Sequence, residues 1–142
     1  MVITFEAAPA LIAQAMLDMV GVEIHSMGRT SEIVKDVGTP AEMNRKHKVS
    51  EIKGTHGIGH LRMATESQVD ISHSHPFWAY PTPDITVVHN GQLTNYHKLT
   101  RHYQVQGYHL QTHNDSEVIA VYLADKLNQG ASLEEALKDS IE

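Results

Sequence analysis

The stretch Ile85-Thr-Val-Val-His-Asn-Gly-Gln-Leu-Thr-Asn95 decides how the chain is laid out. Its first five residues, Ile85 to His89, are rich in β-branched side chains and read as a strand. Asn90-Gly91 is a turn signal that ends the strand abruptly. Leu93 and Thr94 then open a helix that places Tyr96, Leu99 and Tyr103 on one face, with Gly107 as its stop.

Working towards the C-terminus, Tyr108 to Gln111 reads as a short strand. Asn114-Asp115-Ser116 caps a helix whose apolar face is Val118, Ile119, Tyr122, Leu123 and Leu127, and Gly130 stops it. Ser132-Leu-Glu-Glu135 has the spacing of a capping box for a last helix. That helix presents Leu133, Leu137 and Ile141, an apolar face that needs a cover, as in a fragment or a subunit that packs on a partner.

Working towards the N-terminus, Gln68 to Pro83 reads as a loop rich in Ser, His and Pro, and Thr55 to Met63 as a glycine-punctuated extended stretch. Thr39-Pro40-Ala41-Glu42 supplies an N-cap, a proline at the first helical position and an acid in the first turn, predicting a helix to about Lys46. Glu32 to Asp36 reads as one or two helical turns. Val22 to His25 and Val2 to Phe5 read as strands flanking a helix over Ala8 to Met19. There is no internal repeat and no linker, so residues 1–142 form a single domain.

Composition narrows the function. The formal net charge is -6 with no polybasic run, which argues against a nucleic-acid or anionic-membrane binder. No cysteine is present, so this chain has no disulfide, no thiolate metal site and no thiol nucleophile of its own. No apolar run is long enough to span a bilayer. Met1 to Leu17 carries Glu6 and no basic n-region, so no signal peptide is expected and the cytoplasm is the default location.

Three clusters could carry chemistry. In Gly59-His-Leu-Arg62-Met-Ala-Thr65 a guanidinium sits in an otherwise apolar stretch. It is costly to bury unless it meets an anion, and its fork matches a carboxylate. An internal acid is the plainer partner. In His89-Asn90-Gly91 the glycine N–H and the asparagine amide are two donors that can aim at one point and steady an oxyanion; an ordinary turn is the plainer reading. In Thr112-His-Asn-Asp115-Ser-Glu117 the aspartate could hold a ligand ammonium, and a simple helix cap is the plainer role. Eleven histidines, two of them in Ser72-His-Ser-His75, invite a metal reading. No HExxH spacing or cysteine partner supports it, so no metal and no cofactor are expected.

Taken in order, Gly-x-Gly-His-x-Arg-x-Ala-Thr (57–65), His-Pro-Phe (75–77), Val-Val-His-Asn-Gly-x-Leu-x-Asn (87–95) and Thr-x-Asn-Asp-Ser-Glu-Val (112–118) resemble class II glutamine amidotransferase domains of the N-terminal-nucleophile hydrolase (Ntn) fold. The resemblance covers about Gly54 to Ser140. It implies an α+β chain forming part of a four-layer αββα sandwich. It also assigns roles: Arg62, with Thr65 nearby, to the α-carboxylate of glutamine; Asp115 to its α-ammonium; Asn90 and the Gly91 N–H to the oxyanion hole; His75 to a place beside the site. Thr55-His-Gly-Ile-Gly-His60 and Met63-Ala-Thr-Glu-Ser67 look closest to glutamate synthase-like subunits, including that of N-methylglutamate synthase.

Two departures from that family stand out. Met63 follows the arginine where many members have Trp or Tyr. The family's N-terminal cysteine, which forms a γ-glutamyl thioester and releases ammonia, has no counterpart here. The expectation is therefore a partial amidotransferase domain that supplies the glutamine pocket but is not hydrolytic as it stands. Its partner would be a synthase subunit or the remainder of the domain. The rival expectation is a non-catalytic amino-acid-binding or scaffolding module of a synthase complex.

Overall fold

The computed structural model describes residues 3–17, 19–61 and 71–141. Five helices and one small sheet are found among them: α1 (Pro9–Leu17), α2 (Pro40–His47), β1 (Phe77–Trp78), β2 (Thr86–Val87), α3 (Tyr96–Val105), α4 (Asp115–Asn128) and α5 (Leu133–Asp139), with a short 3-10 turn at Val49–Glu51 after α2. The mixture is compatible with the α+β class.

Local sequence explains the helix ends. Thr39 accepts the Glu42 N–H while the Glu42 carboxylate takes the Thr39 N–H at 2.8 Å, so α2 starts on a complete capping box. Ser132 and Glu135 repeat the device at α5. At α4, Asn114 is the cap, its side chain accepting the Ser116 N–H at 2.9 Å. The helices foreseen at α2, α3, α4 and α5 are all present.

Strands were harder to foresee. β1 and β2 pair antiparallel, with Phe77 opposite Val87 and Trp78 opposite Thr86, and the Ala79 N–H extends the pairing to the Ile85 carbonyl at 3.1 Å. β1 thus lies inside the stretch read as a loop. Its four successive buried residues, Phe77 to Tyr80, had been hidden by flanking prolines. The strands expected at Ile3–Phe5, Val22–His25 and Tyr108–Gln111 are not formed; Val2 lies outside the described residues. A strand needs a neighbour to complete its hydrogen bonds, and these segments use their polar groups otherwise. The Ile24 carbonyl accepts the Trp78 indole N–H at 3.2 Å, and the Gln111 N–H goes to Glu117 at 2.6 Å. Glu32–Asp36 is likewise not helical, because the preceding N–H groups are claimed by Asp84.

Helix α4 is the centre of the packing, touching β1, β2, α3 and α5. Ala120 and Ala124, fully buried, let the sheet come close against Ala79. Val118 and Val121 pack with Tyr103 of α3, flanked by Leu99, Tyr108 and Tyr122. Each of these two valines, 1% exposed, contributes about 1.5–3 kcal/mol by leaving water. The expected apolar face was displaced in part: Ile119, Tyr122, Leu123 and Leu127 are only half-buried, while the small residues are covered completely. A third cluster joins Ala13 and Met27 to Trp78 and Tyr80 and so attaches the N-terminal segment to the sheet.

One polar latch reinforces that attachment. Asp84 sits at φ 62°, in the left-handed region that Asp tolerates better than most residues. Its carboxylate accepts the backbone N–H groups of Arg29, Thr30 and Ser31 at 2.8–3.0 Å, and the Ser31 hydroxyl at 3.1 Å. Gly28 is required there, since a Cβ would overlap the carboxylate. Burial pushes the Asp84 carboxyl up, but these donors outweigh it and bring its pKa down to about 2.

Candidate functional site

The loop that opens the sequence reading runs from β2 into α3 across the N-terminus of α4. Between them lies a cleft of about 600 Å³, lined by His60, His75, His89, Asn90, Gly91 and Asp115 among others. Three of the sequence clusters therefore converge although they lie up to 55 positions apart, His60 to Asp115. Arg62 and Thr65 lie outside the described residues.

Asp115 is the first residue of α4, where the helix dipole favours a negative charge. It is not the cap, since Asn114 fills that role. Its Oδ2 accepts the Leu93 N–H at 2.7 Å, pinning the 89–95 loop to the helix. Its Oδ1 has looser neighbours, Ser116 Oγ at 3.5 Å and His89 Nδ1 at 3.9 Å. One carboxylate oxygen thus holds the loop while the other has capacity for a further donor.

Asn90 and Gly91 are exposed along the cleft. A side chain at Gly91 would place its Cβ 2.7 Å from His89 Nε2, so glycine lets the loop fold back over its own histidine. His75 Nε2 lies 2.9 Å from Ser116 Oγ, and His89 Nδ1 lies 3.3 Å from the same oxygen. A hydroxyl carries a single proton. If both contacts are hydrogen bonds, at least one imidazole must donate to it, which restricts the tautomers of the pair. His60 stacks on His75 with ring centroids 4.2 Å apart.

Sequence reading singled out Asn90, Gly91, His75 and Asp115, and all four line this cleft. It gave no role to Ser116, His89 or His60. Ser116 follows Asp115 directly, but nothing in its type signals a bridge between two histidines. The metal reading relied on alternating histidines along a strand at 72–75. That segment is a turn, and among the described residues no group of three or more His, Cys, Asp or Glu is placed to hold a metal.

The pattern of the glutamine amidotransferase domain family matches residues 60–139, more than half of the chain and the whole lining of the cleft. The chain belongs to this glutamine amidotransferase family. A protein of Methanothermobacter thermautotrophicus carrying a glutamine amidotransferase name is 52% identical over 78% of this chain and 36% of its own length. The glutamine amidotransferase-like protein GlxB of Rhizobium meliloti is 36% identical over 99% of the chain and 47% of its own length. The glutamine–fructose-6-phosphate aminotransferase of Bartonella quintana is 34% identical over 75% of the chain and 17% of its own length. This amidotransferase chain thus spans less than half the length of each of these relatives. No helix among its described residues is long and apolar enough to cross a membrane.

Proposed function

We propose that the chain supplies the glutamine pocket of a class II, Ntn-type amidotransferase whose thiol comes from sequence outside these 142 residues. The observation that carries this reading is the convergence of Asn90, Gly91 and Asp115 on one cleft. In the proposal Asp115 Oδ1 takes the α-ammonium of glutamine and Arg62, with Thr65, takes the α-carboxylate. Asn90 and the Gly91 N–H face the side-chain carboxamide as its oxygen gains charge. His75, fixed by Ser116, closes the wall of the pocket. The α+β elements here would form part of a four-layer αββα sandwich.

A thiol attacking the carboxamide carbon would release ammonia and leave a γ-glutamyl thioester, which water returns to glutamate. The ammonia would pass to a synthase partner, and the Thr55–Ser67 stretch favours a glutamate synthase-like system in the cytoplasm. The absence of any cysteine favours binding without hydrolysis by this chain alone. That same fact keeps a second reading in play, a non-catalytic amino-acid-binding or scaffolding module of a synthase complex.

Calorimetry with L-glutamine tests the pocket. Saturable binding is expected, weakened about 10- to 100-fold in Asp115→Asn and in Arg62→Ala, since each removes a charged hydrogen-bond partner worth roughly 1.5–3 kcal/mol. Absence of heat with the unaltered chain would sink the pocket assignment. Ammonia release by the chain alone would sink the claim that it does not hydrolyse.

A further inference from the structure

A second cavity, about 290 Å³, shares no lining residue with the cleft and is walled by Lys35, Phe77, Trp78, Ile24, Thr112 and Glu117 among others. The amidotransferase reading makes no use of it. Its unusual member is Lys35, only 8% exposed. A buried ammonium is costly unless an acceptor or anion meets it. The Lys35 Nζ lies 5.1 Å from the centre of the Phe77 ring, a contact that offers a π-face but no lone pair.

The two neighbouring acids are committed elsewhere. Glu117, 3% exposed, accepts the Gln111 N–H, the Thr112 N–H and the Thr112 hydroxyl at 2.6–2.7 Å. Glu23 pairs with His25 at 3.6 Å on the half-exposed rim. Both act on Lys35 only through space, and among the described residues the ammonium has no hydrogen bond or ion pair. Burial pushes its pKa down, with Glu23 and Glu117 opposing. Met16, Val22, Ile24, Phe77 and Trp78 give the cavity an apolar and aromatic side, and Ser72, His109, Gln111 and Thr112 add polar groups to the rest of the wall.

We propose that this cavity is a binding site for a short organic carboxylate, its charged end on the Lys35 ammonium and its apolar end against Phe77 and Trp78. A carboxylate supplies the missing acceptor in the strong, charge-assisted form. The apolar side of the cavity offers a hydrocarbon tail a surface that an inorganic anion cannot use. The site is separate from the glutamine cleft, so it stands or falls independently of that assignment.

Trp78 is the only tryptophan in the chain and lines the cavity, so its fluorescence reports occupancy directly. Titration of the unaltered chain with butyrate is expected to give a saturable change. Butyramide, the uncharged analogue, and inorganic phosphate should give little or none. Lys35→Met, checked for fold by far-ultraviolet circular dichroism, should weaken the butyrate response about tenfold or more, while Asp115→Asn should leave it unchanged. The proposal is overturned if butyrate gives no saturable response, if butyramide or phosphate matches it, or if folded Lys35→Met retains it. The comparison of butyrate with butyramide needs no variant, so it decides the matter even if Lys35→Met fails to fold.

Discussion

Residues 71–141 carry their own scaffold, with α4 packed against both strands and two further helices and the cleft built across its N-terminus. The described residues of 3–61 contain two helices and a short 3-10 turn but no strand, and they are held largely by what the later half offers: the Trp78–Tyr80 cluster, the indole bond to Ile24 and the Asp84 latch. The contrast teaches that local order and tertiary anchoring are separate resources. One half organises itself around a helix, while the other is positioned by a few long-range contacts.

The sharpest way to break this contrast is Glu117→Ala. The change strips the acceptor from two backbone N–H groups and a hydroxyl beside the start of α4. A loss of about 3 kcal/mol is expected in urea denaturation, and the whole molecule should share it. A smaller loss confined to residues 111–117 would show that α4 is not the organising centre.

Asp84→Ala should cost somewhat less, about 2 kcal/mol, and act chiefly on the earlier half. Hydrogen exchange is expected to quicken at Arg29, Thr30 and Ser31 and to change little along α4. Uniform quickening would mean that the two halves open together. The same latch should respond to acid. Its folded pKa, about 2, lies below the ordinary 3.8, so its stabilisation is fully present above pH 3.8 and fades as the pH falls towards 2. Nuclear magnetic resonance of the 29–31 amides between pH 5 and 2 follows that loss, and Asp84→Asn should flatten it.

The smallest effects should come from the two capping boxes. Thr39→Ala and Ser132→Ala each remove the same cap, worth about 1 kcal/mol. If helices matter more to the later half, Ser132→Ala should lower the global melting temperature, while Thr39→Ala should show mainly as faster exchange within α2.

In both halves sequence reading found helices more readily than strands, for a physical reason. Caps are local: Thr39 with Glu42, Ser132 with Glu135, and Asn114 before Asp115 declare helix starts within four residues. β-propensity is not local, because Val22–His25 and Tyr108–Gln111 have strand-like composition but no pairing neighbour among the described residues. Phe77–Trp78, set among prolines, found its partner at Thr86–Val87. In the cleft, residue types whose chemistry is apparent in isolation, Asn90-Gly91 and Asp115, were recognisable. Ser116 and Glu117 were not, since a serine between two histidines and a carboxylate gathering three donors are defined by distant neighbours.

The span between Gly28–Ser31 and Asp84 has a consequence for biogenesis. A ribosome delivers the N-terminal half first, yet the aspartate that clasps it is synthesised more than fifty codons later. Until then those backbone donors can turn only to water or to a chaperone. Any nascent chain cut short before Trp78 would carry α1 and α2 without the Trp78–Tyr80 cluster, the indole bond or the Asp84 latch.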